Sequence, residues 1–230
     1  MERNRKIWMQ ILVLAAVLRF FPFDFQTAVS TASEDVAAEC AGGEEQKPKI
    51  ALTFDDGPNI KYTPMLLDGL KERGIKATFF LIGSNIDGNE TVVKEMYENG
   101  HIVGNHTFHH VQLTKVSEEE AREEVVKTNN AIYEITGEYP VYIRPPFGEW
   151  REGLDLVVTM IPVLWDVDSR DWESQNTASI CSEVLPNVKD GSIILMHDGY
   201  RATVEALRRI LKELKEEGYT FVTVRELIEE

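Results

Sequence analysis

Two neighbouring carboxylates, Asp55 and Asp56, lie in the run Thr53-Phe54-Asp55-Asp56-Gly57-Pro58, and three of the chain's five histidines fall within His106-Thr107-Phe108-His109-His110. Further along come an arginine in a proline-rich stretch, Arg144-Pro145-Pro146-Phe147-Gly148, and a late histidine in Leu195-Met196-His197. Imidazoles four residues apart stand one helical turn from each other and can face one cation. With Asp56 as third donor, His106 and His110 make a set that leaves positions open for water and substrate. That is a catalytic rather than a structural metal site, with Zn(II) the default ion and Co(II) or another divalent ion the alternatives. The groups left over, a second carboxylate, an arginine and a histidine, are what metal-assisted hydrolysis uses to accept, hold and return a proton. His101 and His109 receive no role.

Such chemistry needs elements that bring distant fragments to one place. From Lys49 onward, short β-branched or apolar runs predict strands over 50–54, 77–82, 102–104, 141–144, 161–165, 192–196 and 220–222. Between them, periodicity at i, i+3 and i+4 predicts helices over 63–73, 91–99, 118–136, 177–185 and 203–217. Ser117 with Glu120 forms a capping-box signature, and Gly74, Gly100, Gly137 and Gly218 stand where helix C-caps belong. Strand followed by helix, seven times over, implies parallel strands with right-handed crossovers, closed or nearly closed into a barrel. A doubly wound open sheet is the alternative. In either, function gathers at the C-terminal ends of the strands. Asp55 and Asp56 end the first strand, His106 follows the third, Arg144 ends the fourth, Asp166 and Asp168 end the fifth, and His197 ends the sixth. Gly57-Pro58 then forces a tight turn that holds both carboxylates at the mouth.

In type and order these fragments resemble the five motifs of the NodB-homology polysaccharide deacetylases, carbohydrate esterase family 4. Thr53 to Pro58 is similar to the first motif, His106 to His110 to the second and Arg144 to Gly148 to the third. Asp168-Ser169-Arg170-Asp171-Trp172 is similar to the fourth and Leu195-Met196-His197 to the fifth. The resemblance covers residues 49 to 225 and implies an α/β fold, a distorted (β/α)7 barrel. It implies Asp56, His106 and His110 as metal ligands, Asp55 as general base and His197 as general acid. It further implies Arg144 as the partner of the base, Asp171 as the group that orients His197, the backbone N–H of Phe147 near the oxyanion, and Trp172 and Leu195 as walls around the acetyl methyl. Trp150, beside the third motif, is a further residue that could stack on a sugar.

The residues suit the implied reaction. An acetamide has a poor electrophile and a poor leaving group, so its hydrolysis needs a polarised carbonyl, a base such as Asp55 for the attacking water and an acid such as His197 for the departing nitrogen. The expected function is removal of N-acetyl groups from N-acetylglucosamine residues of a glycan, peptidoglycan foremost. Chitooligosaccharide N-deacetylation, O-deacetylation of acetylxylan and glycan binding without catalysis are the rival readings.

The 230 residues, 43% hydrophobic and 27% charged, suit one catalytic domain over 49–230. The first thirty residues differ: Arg3, Arg5 and Lys6 lead into the apolar stretch from Ile7 to Leu18, and Arg19 ends it. That pattern reads as a signal peptide or an N-terminal membrane anchor, although the apolar run is shorter than the roughly 20 residues that span a bilayer. Residues 31–48, rich in Ala, Ser, Glu and Gly, read as a flexible linker. The expectation is an exported monomer, secreted or tethered to the outer face of the cytoplasmic membrane, with any membrane contact through its N-terminal segment. A formal net charge of −15 argues against nucleic acid and suits a neutral glycan that gains amines as acetyl groups leave. Cys40 and Cys181, the only cysteines, are not expected to pair.

Overall fold

Alternation along the strands sorts the side chains of a curled sheet into an outer set under the helices and an inner set at the axis. The computed structural model describes residues 47–229. The signal or anchor expected over 1–30, most of the expected linker and Cys40 lie outside the described residues. In β1 (Lys49–Gly57), Ile50, Leu52 and Phe54 pack into the main apolar core, whereas Ala51, Thr53 and Asp55 belong to the inner set. β2 (Thr78–Leu81) repeats the pattern, Phe79 and Leu81 outward and Phe80 inward. So does β7 (Ile193–His197), with Ile194 and Met196 outward and Leu195 and His197 left to the interior.

The remaining strands are β3 (Ile102–Asn105), β4 (Tyr142–Ile143), β5 (Ile161–Pro162), β6 (Val167–Asp168) and β8 (Thr220–Val222). All pairings are parallel, in the order β5-β4-β3-β2-β1-β7-β6, with β8 also on β1. β8 pairs the first residues of β1 and β2 the last, so the two share one edge of the first strand. The edge strands β5 and β6 do not pair with each other, and the expected barrel is an open half-barrel.

Helices α1 (Thr63–Lys71), α2 (Glu90–Glu98), α3 (Glu118–Thr136), α5 (Thr177–Val184) and α6 (Arg201–Glu216) match the five expected from periodicity to within two residues at each end. The Ser117 hydroxyl caps α3 by accepting from the Glu120 amide, and Gly74, Gly100, Gly137 and Gly218 all have positive φ. Two short helices, α4 (Asp171–Ser174) and α7 (Val224–Ile228), escape the pattern because neither is long enough to show a period. From α7, Val224 and Leu227 pack with Ala51, Phe80 and Tyr142 in the interior cluster.

The expected strand over 161–165 is corrected. It stops at Pro162, and the chain starts a separate strand at Val167. The carbonyls of Val163 and Leu164 turn to the Arg144 guanidinium instead of continuing the ladder. Asp168 therefore ends the sixth strand and His197 the seventh. Asp166 lies on the other side of β6 from the mouth, where its carboxylate accepts from the Ile193 amide at 2.9 Å. Among the described residues no helix is long and apolar enough to cross a membrane.

Candidate active site

Successive residues of a strand point to opposite faces, so two adjacent carboxylates cannot both reach the mouth of a regular β1. Asp56 is the exception that makes it possible. The register between β1 and β2 passes from Asp55↔Phe80 to Gly57↔Leu81, leaving Asp56 as an extra, bulged residue with φ +71°. Its carbonyl accepts from the Asn85 side chain at 2.8 Å. The bulge turns the Asp56 side chain to the same end as Asp55, a task the sequence reading gave to the Gly57-Pro58 turn. That turn follows, with a cis peptide bond, and a side chain at Gly57 would collide with the buried carboxylate of Asp198.

His106 and His110 do converge, but not on a helix. They lie on a loop after β3, with Thr107 and His110 in left-handed conformations and the two rings 4.9 Å apart between centroids. His106 Nε2 is 3.4 Å and His110 Nε2 3.5 Å from the same atom, Asp56 Oδ1. On its other side, His106 Nδ1 lies 2.6 Å from the Arg144 carbonyl. A carbonyl can only accept, so Nδ1 carries a proton, and in the neutral, ligating ring Nε2 presents a lone pair. Asp56 Oδ1 is buried without a hydrogen-bond partner. A lone pair facing an unpaired carboxylate oxygen is unfavourable unless a cation lies between them, and the set therefore fits a divalent metal. Among the described residues this is the one cluster with metal-ligand spacing. Burial opposes the charge on Asp56, but with His106, His197 and His110 protonated their charge outweighs it and holds its pKa below the usual aspartate value, the part a bound cation would play once the ligand rings are neutral. Burial, reinforced by His106, lowers the pKa of His110 and favours the neutral ring that can ligate.

Asp55 is buried beside the cluster, its Oδ2 3.8 Å from His106 Nε2 and its Oδ1 2.9 Å from Arg144 Nη1. Arg144 is wholly buried, and each arm of its guanidinium is occupied. Nη1 also donates to the Thr53 hydroxyl, Nε to the Val163 carbonyl and Nη2 to the Leu164 carbonyl. The same cation sits 4.4 Å over the Phe80 ring.

On the opposite flank, His197 Nδ1 is 2.7 Å from Asp171 Oδ1, while Asp171 Oδ2 accepts from the His197 amide and the Thr203 hydroxyl. Burial would lower the pKa of His197, but the hydrogen bond and charge of Asp171 override it and raise it to about 9. Held by Nδ1, the ring leaves Nε2 as its remaining proton-bearing atom.

Asp55, Asp56, His106, His110 and His197 line one cleft of about 420 Å³ together with Pro145, Phe147, Trp165, Asp168, Trp172, Leu195 and Tyr200, whereas Arg144 and Asp171 are buried behind it. Phe147 is exposed, has φ +63° and packs edge-on to His110 at 4.8 Å; Trp172 is half exposed and Leu195 buried. Trp165 and Tyr200 were not singled out from sequence, and a lone aromatic residue in a strand or loop carries no signal that could have done so. Asp198 was missed as well. It accepts from the Thr63 hydroxyl at 2.6 Å, and burial pushes its carboxyl up to about 7. Trp150 is not a cleft residue; it packs on a satellite apolar cluster with Leu113, Val125 and Ile143. His101, buried, accepts from the Ala77 amide, and burial takes its pKa down to about 4. A second cavity, about 480 Å³, opens near the N-terminal ends of β3 and β4 and contains none of the candidate catalytic groups.

A polysaccharide deacetylase family model matches residues 42–161. The chain is 42% identical over 179 residues to the peptidoglycan-N-acetylglucosamine deacetylase PgdA of Listeria monocytogenes, a match covering 78% of this chain and 38% of that protein. The chain thus spans well under half the length of that relative. It is 41% identical over 189 residues to a peptidoglycan-N-acetylglucosamine deacetylase of Bacillus cereus, covering 79% of this chain and 69% of the relative. Among solved structures, the peptidoglycan deacetylase PdaC of Bacillus subtilis superposes with a TM-score of 0.77 at 40% identity, covering 80% of this chain and 91% of that one.

Proposed function

The chain belongs to the polysaccharide deacetylase family, and from that premise and the cleft geometry we propose that it hydrolyses N-acetyl groups of N-acetylglucosamine residues in a glycan, peptidoglycan foremost. The observation that carries the reading is the meeting of three lone-pair donors, Asp56, His106 and His110, between a carboxylate on one side and a histidine held by a carboxylate on the other.

Asp56, His106 and His110 would hold a divalent cation, Zn(II) by the chemistry of the donors. Bound there, it would supply Lewis acidity toward the acetyl carbonyl and lower the pKa of an adjacent water. The protein's own groups do the rest. Asp55, kept in place by Arg144, accepts a proton from the attacking water as the water oxygen bonds to the carbonyl carbon. His197, oriented by Asp171, donates a proton to the nitrogen as the carbon–nitrogen bond breaks, and acetate and a free amine leave. Proton transfer from a positioned side chain contributes on the order of 10²- to 10⁴-fold. Trp172 and Leu195 present apolar surface to the acetyl methyl, and Phe147 offers its backbone N–H to the developing oxyanion. The basic-then-apolar start of the chain we read as an export signal or anchor that takes the enzyme to the cell wall.

Acetate release from N-acetylglucosamine oligomers and from acetylxylan, measured side by side, tests the reading. Activity on the amide is expected, and Asp55→Asn should lower turnover by at least about 10²-fold with the metal still bound. Release from the ester alone would overturn the substrate assignment, and undiminished turnover in Asp55→Asn the role of the base.

A further inference from the structure

The loop that carries His106 and His110 has no regular secondary structure to hold it, and two of its residues, Thr107 and His110, occupy left-handed conformations that cost free energy. Something must over-determine it. Its outward carbonyls are taken by the segment after β2, since the Gly83 amide donates to the Thr107 carbonyl and the Ser84 amide to the Phe108 carbonyl, both at 2.9 Å. Gly83 can come this close only because it lacks a side chain; a Cβ there would lie 2.4 Å from the Phe108 ring. Two of its amides turn the other way, toward α3, and meet a single carboxylate. Glu124 Oε2 accepts from the Phe108 amide at 2.9 Å and the His109 amide at 2.7 Å, while Oε1 is 2.7 Å from His109 Nδ1.

We propose that Glu124 is a positioning residue for the metal centre, clamping the turn between the two histidine ligands so that both imidazoles are aimed at one cation before it arrives. The inference rests on the metal reading of Asp56, His106 and His110. Glu124 touches neither the cleft nor a ligand side chain; it acts on two of the three backbone amides between the ligands. A buried carboxylate is costly to keep, and three donors directed at it offset that cost. Other groups of the same helix support the clamp. The Thr128 hydroxyl bonds back to the Glu124 carbonyl, Lys127 Nζ sits 3.8 Å over the Phe108 ring, and Asn105, which accepts from the Thr107 amide, donates to Asn129 and to the Val125 carbonyl. His109, given no role from sequence, holds the clamp's other oxygen.

The test is the affinity of the metal-free protein for Zn(II), measured by competition with a chromogenic chelator, alongside its thermal unfolding. Outer-shell partners of metal ligands are commonly worth 10- to 100-fold in affinity. Glu124→Ala is expected to weaken Zn(II) binding by about that factor, whereas Glu124→Gln, which keeps an acceptor for both amides, should stay within about threefold. Val125→Ala, a cavity in the same helix with no bond from its side chain to the loop, should lower the melting temperature and leave affinity unchanged. If Glu124→Ala does not fold, Glu124→Asp, which keeps the charge but withdraws it by one methylene, should show the loss. Wild-type affinity in the Ala or Asp variant, or an equal loss in Val125→Ala, would overturn the proposal. Failure of the unaltered chain to bind Zn(II) would instead defeat the metal reading beneath it.

Discussion

Asp171 and His197, the proposed acid, show how two residues 26 positions apart become one hydrogen-bonded pair. The carboxylate is wholly buried and spends its oxygens on the His197 ring, the His197 amide and the Thr203 hydroxyl, so the ring is both oriented and charged. Because Asp171 raises the His197 pKa against the effect of burial, the proposed acid is protonated through neutral pH and lost as pH climbs through its titration. The alkaline limb of kcat/KM in the metal-loaded enzyme should report this group. Asp171→Asn removes the charge, so the limb should move down by at least about one pH unit; an unmoved limb would detach it from His197. At this scale the sequence was highly legible where residue type alone carries the chemistry, as with Asp56, His106 and His110. It was mute where chemistry depends on a neighbour distant in sequence. Glu124 looks like any acidic residue on an amphipathic helix, and Trp165 and Tyr200 like ordinary aromatic residues.

Among the elements, the regular ones could be read and the exceptions could not. α3 was bounded correctly because a capping serine and a glycine C-cap flank a long period, whereas β6 has two residues and no period at all. The bulge at Asp56 leaves no mark in composition, yet it puts two successive carboxylates at one end of β1. Arg144 is the reason the fifth strand ends early. Its guanidinium joins β1, through Thr53 and Asp55, to the carbonyls of the β5–β6 connection, at the place where the sheet fails to close. The residue that holds the proposed base is thus also a tie across the gap. Arg144→Met keeps much of the volume but leaves Asp55 buried without its counter-charge and two carbonyls without donors. The expected cost is about 3–5 kcal/mol, as for other broken buried ion pairs, read as a fall in the denaturant midpoint. A loss of activity with unchanged stability would confine Arg144 to the base and remove its part in the sheet.

For the whole molecule, the parallel half-barrel collects the ends of β1, β3, β4, β6 and β7 at one rim, and the proposed metal ligands, base and acid reach the cleft from there. The fold class followed from the strand–helix alternation, but closure did not, since hydrophobic periodicity is indifferent to whether the two edge strands meet. The acidity of the chain suits the proposed substrate, a polymer that acquires positive charge as it is deacetylated. All of this depends on one cation at one place. Crystals of the protein grown with Zn(II), with data collected on both sides of the zinc absorption edge, would locate it by anomalous scattering. The account predicts a single ion bonded at about 2.0–2.2 Å to Asp56, His106 and His110, with Asp55 and His197 close by and uncoordinated. An ion bound elsewhere, or one that takes Asp55 or His197 as a ligand in place of any of the three, would contradict it.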